Sequence, residues 1–352
     1  MRSKAVRIAG GLAVCTAGGA LCAWLRTPLP WMIGSILAMA IAQIAGADLL
    51  ELPGGRNAGL VVVGTSLGLH FTAPVVHEVA AYWPWFVALG FAAIGFGGVS
   101  GWLLSRLSGV DRATCYFGSM PGGASEMAMT GERHGARSDL VAFAHSLRML
   151  LTVTLFPIAI TLAGFSSTDD YHPVLVAFDA PKLALLLAIG AACGWMARRV
   201  GLPTAYMIGS LLATTALTVR GIALSSVPHA LPSAAQVFLG AALAVRFDRS
   251  FLARAPRFVL SLIPSIAVTL ASAALVGWAL ARLAGVPTGT GLLSAAPGGI
   301  AEMSITAQVL HLGVAFVTAA HTVRYIVVVL FTGLVFRHWG KVTGAILSRA
   351  AK

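Results

Sequence analysis

Two short motifs occur twice in this chain, 176 residues apart. The segment PGGASEM at residues 121–127 returns as PGGIAEM at 297–303, and AHSLR at 144–148 returns as AHTVR at 320–324. Motifs that repeat at one spacing indicate an internal duplication, so we expect the chain to fold as two homologous halves. The repeated motifs also carry the few charged residues that lie inside apolar segments.

The composition predicts a protein that spans a membrane several times. Only 10% of the 352 residues are charged and 58% are hydrophobic, whereas soluble domains carry about 25% charged residues. The net charge of +12 comes from basic residues scattered between apolar segments, a distribution typical of membrane topology signals. We therefore predict an all-α polytopic membrane protein with the lipid bilayer as a partner and no direct nucleic-acid partner.

Apolar segments divide the two halves in the same way. The first half contains apolar runs and one Gly/Pro-broken stretch, near residues 8–25, 30–46, 57–72, 83–107, 113–133 (broken) and 138–164. The second half repeats this pattern near residues 183–200, 205–222, 232–247, 258–281, 287–310 and 313–336. The first run resembles a signal peptide, but its counterpart lies in mid-chain, so we expect a retained helix.

The duplication and the polar segments define four regions. Residues 1–165 form the first membrane repeat and residues 182–336 the second. A polar linker, 166–181, is expected to join them, and residues 337–352 are expected to form a basic cytoplasmic tail.

The distribution of lysine and arginine distinguishes two topologies. With five spans per half, a re-entrant broken segment and the N-terminus inside, eighteen of these residues face the cytoplasm and four face outward. Six crossings per half would give thirteen and nine. The odd count is favoured, and it inverts one half relative to the other, as in many secondary transporters. We therefore expect about ten spans plus two broken or re-entrant segments.

Each PGG motif predicts a helix that is interrupted at membrane depth. Proline removes a backbone donor and glycine permits unusual dihedrals, here at Gly122 and Gly123 and again at Gly298 and Gly299. In a bilayer, unpaired backbone groups are tolerated where they line a cavity or are buried in protein. These glycines and Ser125 are therefore candidate ligand-binding residues, and a kink that serves only packing is the alternative.

Glu126 and Glu302 lie in the first turn of the helix after each interruption. The helix dipole stabilises a carboxylate there, and an acidic residue within a membrane is a functional candidate. We expect each glutamate to bind a proton or cation that drives transport. The alternative is that each caps its half-helix or pairs with an arginine.

A histidine and an arginine share one face of a long apolar helix in each half, as His145 with Arg148 and His321 with Arg324. A buried arginine stays charged and needs an anionic partner, either the glutamate of its half or a bound anion. Two arginines and two half-helix N-termini favour a ligand that bears a carboxylate or phosphate. The histidines can titrate near neutral pH, and a purely structural histidine is the alternative.

Other chemistry has little support in the sequence. The histidines show no HxxxH or HExxH spacing and the four cysteines no CxxC spacing, so neither a metal site nor a cofactor is expected. A GxxxxGKS phosphate loop is also missing, which argues against an ATP-driven pump. A weaker repeated motif, MIGS, places Gly34 and Gly209 where close helix packing is expected.

The PGGxxEM and AHxxR pairs, the segment Pro-x-x-aromatic-Met-Ile-Gly-Ser and the length together resemble the AbrB-type membrane protein family. The resemblance covers nearly the whole chain and implies a multi-pass protein of the bacterial inner (plasma) membrane with an internal duplication. Members of that family carry the labels ammonia monooxygenase and transcriptional regulator. The residues here include neither a copper-type histidine cluster nor a soluble nucleic-acid module. The family is similar in layout to cation–proton antiporters and anion transporters, which have inverted repeats and discontinuous helices.

Together these patterns predict a secondary transporter for a small solute, anionic in the leading hypothesis, coupled to protons or Na⁺. Both PGG interruptions, both glutamates and both histidine–arginine pairs are expected to build its site. The alternative is a membrane-embedded sensor that affects gene expression through a partner. An enzyme is not predicted, because no nucleophile and base form a recognisable set, and a homodimer is left open.

Overall fold

The computed structural model describes residues 3–165, 176–202, 204–245, 247 and 255–350, with side chains as far as residue 338. Within this part of the chain all regular structure is helical, which confirms the predicted all-α class. Most of the polar linker expected at 166–181 lies outside the described residues, so its conformation is not part of the fold presented here.

The helices follow the same order in both halves. Those of the first half are α1 (Lys4–Trp24), α2 (Pro30–Ile44), α3 (Gly55–Gly68), α4 (Ala73–Ala81), α5 (Trp83–Ser108), α6 (Arg112–Ser119), α7 (Ala124–Glu132) and α8 (Ser138–Leu162). Those of the second half are α9 (Ala180–Arg199), α10 (Ala205–Val219), α11 (Ala230–Ala244), α12 (Pro256–Ala284), α13 (Thr288–Ala295), α14 (Ile300–Val309) and α15 (Val314–Ala350). Only α4 has no counterpart among the described residues.

Matched residues begin and end corresponding helices. Ser3 and Asp179 each accept a hydrogen bond from a first-turn N–H, of α1 and α9 respectively. The backbone N–H and the ammonium of Lys182 hold the pKa of the Asp179 carboxyl below its ordinary value. Helices α5 and α12 both end at a glycine with left-handed backbone, Gly109 at φ 72° and Gly285 at φ 71°.

Six of the described helices are long and apolar enough to cross a membrane: α1, α5, α8, α9, α12 and the first part of α15. Three shorter apolar helices accompany them, and α3 with α4 forms a pair bent by 92°. Large apolar side chains are also exposed on the outside, such as Trp24 at 79% and Leu162 at 83%. Because a soluble protein rarely exposes so much apolar surface, these features fit a polytopic membrane protein.

Helices α5 and α12 occupy corresponding places in the two halves and pack against each other in opposite directions. Arg257, at the start of α12, donates from Nε to the carbonyl of Leu107, at the end of α5, at 3.0 Å. Phe86, near the start of α5, shares a core cluster with Leu280, near the end of α12. Midway, the Ser100 hydroxyl donates to a carbonyl of α12 at 2.8 Å. The pair is therefore antiparallel along its whole length.

The glycine of each MIGS motif packs against the preceding helix of its own half. A side-chain carbon at Gly34 of α2 would overlap the backbone of Gly18 in α1. At Gly209 of α10 it would lie 2.6 Å from the carbonyl of Cys193 in α9. Helix backbones approach this closely only where the side chain is a hydrogen atom, so these glycines serve the predicted packing role.

The serine of each MIGS motif packs against the opposite half. Gly240 of α11 lies against Ser35 of α2, with the added carbon 2.8 Å from Ser35 Cβ. Gly64 of α3 lies against Ser210 of α10 in the same way. The two contacts are equivalent: exchanging the halves turns one into the other. Together they join the first three helices of both halves.

Two features of the fold differ from the sequence expectation. The apolar run expected at 57–72 ends as a helix at Gly68, and the chain then bends into α4, which was not predicted. Helix α15 continues to Ala350, so the segment expected as a tail, 337–352, is largely helical. The bend follows Gly68, which packs so closely on α10 that a side-chain carbon would lie 2.5 Å from Cβ of Thr214.

Candidate functional site

The first PGG motif lies at the tip of a helical hairpin. Helix α6 ends at Ser119 and α7 begins at Ala124, so the interruption predicted at Pro121 is present. The hairpin then returns to its starting level, because the backbone N–H of Arg137 donates to Thr114 Oγ1 of α6 at 2.8 Å. Both ends of the broken segment therefore lie together, with the PGG motif at the far end.

The second PGG motif lies at the tip of a matching hairpin. Helix α13 ends at Ala295 and α14 begins at Ile300. The base is held by the backbone N–H of Gly313, which donates to Thr290 Oγ1 at 3.1 Å. Thr114 and Thr290 are 176 residues apart, so the same hydroxyl closes both hairpins.

The two glycines of each motif make room for two later side chains of the same motif. A side-chain carbon at Gly122 would lie 3.0 Å from Met127, and one at Gly123 would overlap the carboxylate of Glu126. In the motif PGGxxEM, the first glycine therefore faces the methionine and the second faces the glutamate, so the motif packs as one unit. The second hairpin repeats both contacts, Gly298 with Met303 and Gly299 with Glu302.

Arg148 holds the end of the first half-helix. Its Nη1 donates to the carbonyl of Met120 at 2.8 Å and reaches that of Gly118 at 3.4 Å. Its Nη2 donates to His145 Nδ1 at 3.0 Å. A helix C-terminus has free carbonyls and a partial negative charge, so the buried guanidinium satisfies both at once.

Arg324 does the same for the second half-helix, with one contact more. Its Nη1 donates to the carbonyls of Ala295 and Ala296 at 3.2 and 2.5 Å. Its Nη2 donates to the carbonyl of Gly298 at 2.8 Å and to His321 Nδ1 at 2.9 Å. Both arginines are 2% exposed, so these bonds replace almost all of their hydration.

The partner expected for each buried arginine was a glutamate or a bound anion, and the structure supplies backbone carbonyls instead. Among the described residues, neither arginine forms an ion pair with Glu126 or Glu302. The expectation did not count the acceptors that a broken helix exposes at its C-terminus, next to the negative end of its dipole. Only Nε of Arg148 and of Arg324 has no hydrogen-bond partner.

Both histidines use both ring nitrogens. His145 Nε2 lies 2.9 Å from the carbonyl of Phe117, and His321 Nε2 lies 2.9 Å from that of Leu293. Because each Nδ1 accepts from an arginine, the proton must be on Nε2 and the ring is neutral. This geometry favours the structural alternative over a histidine that titrates near neutral pH.

The two hairpin tips line a common cavity of about 250 Å³. Ten of the eleven predicted site residues line it: Gly122, Gly123, Ser125, Glu126, His145, Gly298, Gly299, Glu302, His321 and Arg324. Arg148 does not, because it lies behind the first interruption and faces the carbonyls. Neither Gly123 nor Gly299 provides a side-chain cap, but at the second tip the Glu302 carboxylate accepts a hydrogen bond from its own backbone N–H in the first turn.

Each long helix reaches across to the hairpin tip of the other half. Tyr325 of α15 places its hydroxyl 3.0 Å from the side-chain position of Gly123, beside the Glu126 carboxylate. Met149 of α8, its counterpart, places its terminal methyl at the same distance from the side-chain position of Gly299. One carboxylate therefore faces a hydroxyl, and the other a thioether.

Residues of three further helices complete the cavity wall. Arg56 and Leu60 come from α3, Thr204 precedes α10, and Leu239 and Leu243 come from α11. The charge of Arg56 acts on Glu302, although the two side chains form no ion pair. In the described part of the chain, no group of three or more His, Cys, Asp or Glu could hold a metal ion.

The model of the family described as "Transition state regulatory protein AbrB" matches residues 31–340. The chain belongs to this AbrB family. A relative from Bacillus subtilis (strain 168), "Uncharacterized protein YhjN", is 28% identical over 90% of this chain and 89% of its own length. Another from Escherichia coli (strain K12), "Putative regulator AbrB", is 26% identical over 87% of this chain and 88% of its own length. The sequence resemblance is thereby confirmed.

Four residues of the site were not predicted from the sequence. Thr114 and Thr290 could have been found, because they repeat at the spacing of the main motifs. Arg56 and Tyr325 could not have been found by repetition, because their counterparts are Pro232 and Met149. Their place in this AbrB-family cavity depends on how the halves pack, which no local pattern encodes.

Proposed function

We propose that this chain is a secondary transporter that moves a small anionic solute coupled to protons or Na⁺. One observation carries the proposal: two interrupted helices, one from each half, bring Glu126 and Glu302 to the same cavity. Discontinuous helices that meet in the middle of a helical membrane protein are typical of transporter binding sites. The bacterial inner membrane is the proposed location.

The proposal includes ten spans arranged as two inverted halves. Helices α5 and α12 are counterparts and run antiparallel, which is the relation that a two-fold axis in the membrane plane creates. The contact of Gly64 with Ser210 and that of Gly240 with Ser35 are equivalent when the two halves are exchanged, as the same two-fold axis requires. The spans are then α1, α2, α3, α5 and α8 with their counterparts α9, α10, α11, α12 and α15, and the two hairpins enter from opposite faces.

An asymmetry between the halves supports alternating access. Thr204 and Leu243 line the cavity, whereas their counterparts are packed away from it. These counterparts, Leu29 and Leu67, are both 0% exposed. The cavity is therefore lined by the ends of α3, α10 and α11 on one side only. Exchange of the two packings would open the opposite side, as a rocking motion requires.

The glutamates are the proposed coupling groups. Each lies in the first turn of its half-helix and lines the cavity without an ion pair among the described residues. A carboxylate that forms no ion pair can accept a proton or coordinate Na⁺ as the solute binds. The arginines behind them keep each interrupted helix in shape, so that the carboxylates are free for this exchange.

Uptake by proteoliposomes tests the proposal. Vesicles with an internal pH-sensitive dye receive small carboxylates, phosphate or amines, with and without a Na⁺ gradient. We expect one class of anion to drive proton- or Na⁺-dependent flux in the wild-type protein and none in the Glu126→Gln, Glu302→Gln double variant. Glu132→Gln, on the exposed end of α7, is the matched control. Unchanged flux in the double variant would exclude coupling through these residues.

The family and the E. coli relative are both described as regulators, which favours a second candidate, a membrane sensor. The same cavity would bind a small ligand and change the contacts of a partner protein. The two candidates differ in one measurement, because a sensor binds its ligand to purified protein but produces no flux in vesicles. No enzymatic activity is proposed, and a homodimer stays a prediction.

A further inference from the structure

We infer that Arg56 is the residue that selects the charge of the bound solute, and that the solute is a small organic anion bound through a carboxylate. This inference rests on the proposed function of the cavity and gives that site its ligand class. It assigns the role once expected of Arg148 and Arg324 to a different arginine.

The inference begins with the charges at the two hairpin tips. At each tip an arginine faces the negative end of one half-helix and a glutamate sits at the positive end of the next. The histidines between them are neutral by their hydrogen bonds. Each tip is therefore close to electrically balanced, and neither contributes a net charge to attract a ligand.

Arg56 carries a positive charge that is not part of either balanced tip. It lines the cavity from the first turn of α3. Arg56 is an exposed residue, and in the described part of the chain its guanidinium forms no hydrogen bond and no ion pair, although its charge acts on Glu302. The corresponding residue of the second half is Pro232, so the excess positive charge lies on one side of the cavity.

Other groups that line the cavity are hydrogen-bond donors. Tyr325 lines the cavity and is 9% exposed, and its hydroxyl lies beside the Glu126 carboxylate without a partner within hydrogen-bond distance. The N-terminus of α7, where Gly123 provides no side-chain cap, presents further N–H groups. A free guanidinium fork, a hydroxyl and backbone N–H groups together match a carboxylate, which accepts several hydrogen bonds in one plane. An organic cation would find only the two glutamates.

Thermal stabilisation of the detergent-purified protein tests this inference without any transport. The probes are acetate, succinate, benzoate and inorganic phosphate, with choline as the cationic control. We expect at least one carboxylate to stabilise the wild-type protein and to bind at least tenfold more weakly to Arg56→Gln. Arg56→Lys should recover part of the loss, because an ammonium keeps the charge without the fork. Pro232→Gln, which places the same residue at the matched position of α11, should bind as the wild type does.

Three results would overturn the inference: stabilisation by choline alone, no stabilisation by any carboxylate, or equal carboxylate affinity in the wild type and Arg56→Gln. A fourth is a loss of stability in ligand-free Arg56→Gln that Glu302→Gln reverses, since Arg56 would then be a counter-ion of that glutamate. Carboxylate binding that needs Arg56 but produces no flux would support the inference and refute transport. Flux that is unchanged in Arg56→Gln would support transport and refute the inference.

Discussion

The two hairpins are held together by the same contacts, but different side chains lie beside their tips in the cavity. Thr114 and Thr290 close the bases with the same hydrogen bond, and Arg148 and Arg324 hold the tips through the same carbonyl positions. Yet the first glutamate faces a tyrosine hydroxyl from the other half, and the second faces a methionine.

This difference separates two kinds of polar residue in a duplicated protein. Residues that occur in both halves satisfy the backbone of an interrupted helix, a need that each copy has for itself. Residues that occur once, such as Arg56, Tyr325 and Ser125, meet at a single cavity that both copies share. Repetition therefore indicates the frame and its two glutamates, and departures from repetition mark the residues that we propose to recognise the ligand.

The largest effect is expected from removal of a tip arginine. Arg148→Ala and Arg324→Ala should each destabilise the protein by about 3–5 kcal/mol, because several buried carbonyls lose a charged donor. Thermal unfolding in detergent, or the yield of folded protein, measures the loss. Lysine should restore only part of it, since one ammonium cannot reach carbonyl and histidine at once. A severe effect at only one of the two positions would contradict the equivalence of the tips.

A smaller effect is expected at the hairpin bases. Thr114→Val and Thr290→Val should each cost about 1–3 kcal/mol, because a buried backbone N–H loses its acceptor. Thr152→Val is the matched control, since its buried hydroxyl has no partner and its loss should be neutral or stabilising. Equal thermal stability of all three variants would show that the hydroxyls do not close the hairpins.

At the cavity, binding should change without a change in stability. Tyr325→Phe removes a hydroxyl that lies beside the Glu126 carboxylate but has no partner within hydrogen-bond distance, so the free energy of unfolding should change by less than about 1 kcal/mol. Solute affinity should fall about two- to tenfold, the value of one hydrogen bond. Met149→Leu, at the matched position, should leave both quantities unchanged. If both variants alter affinity equally, the asymmetry between the tips has no role in recognition.

The smallest effect is expected at the helix caps, and it depends on pH at only one of them. The pKa of Asp179 is lowered by Lys182, so this carboxyl stabilises the fold above its unfolded pKa and loses that effect as pH falls through the folded value. The thermal stability difference between wild type and Asp179→Ala should therefore close in acid. The difference for Ser3→Ala, at the matched cap, should stay constant with pH.

Much of the fold could be predicted because the bilayer leaves few choices. Composition and apolar runs predict helices, and Pro121 with Gly122 predicts the interruption between α6 and α7. The same logic missed α4, because a bend after Gly68 depends on the helix packed beside it. Local patterns describe what a segment can form, and the direction it takes depends on its neighbours.

The candidate residues could be predicted better than their partners. Repetition indicated both glutamates and both histidine–arginine pairs, and ten of the eleven predicted residues line the cavity. The partner of Arg148 was not predictable, because the acceptors are main-chain carbonyls, which every residue carries. Arg56 escaped for the opposite reason, since it looks like any basic residue at a helix start until the fold brings it to the cavity.

Chemical cross-linking tests most directly whether two hairpins from opposite faces meet at a common cavity. In a chain with all four cysteines replaced, one cysteine pair is placed at the tips, Ser125→Cys with Ala301→Cys, and a second at the bases, Arg112→Cys with Thr288→Cys. A short thiol-specific cross-linker should join the tip pair and leave the base pair unlinked. A linked base pair, or tips that cannot be joined while both cysteines still react, would contradict the account.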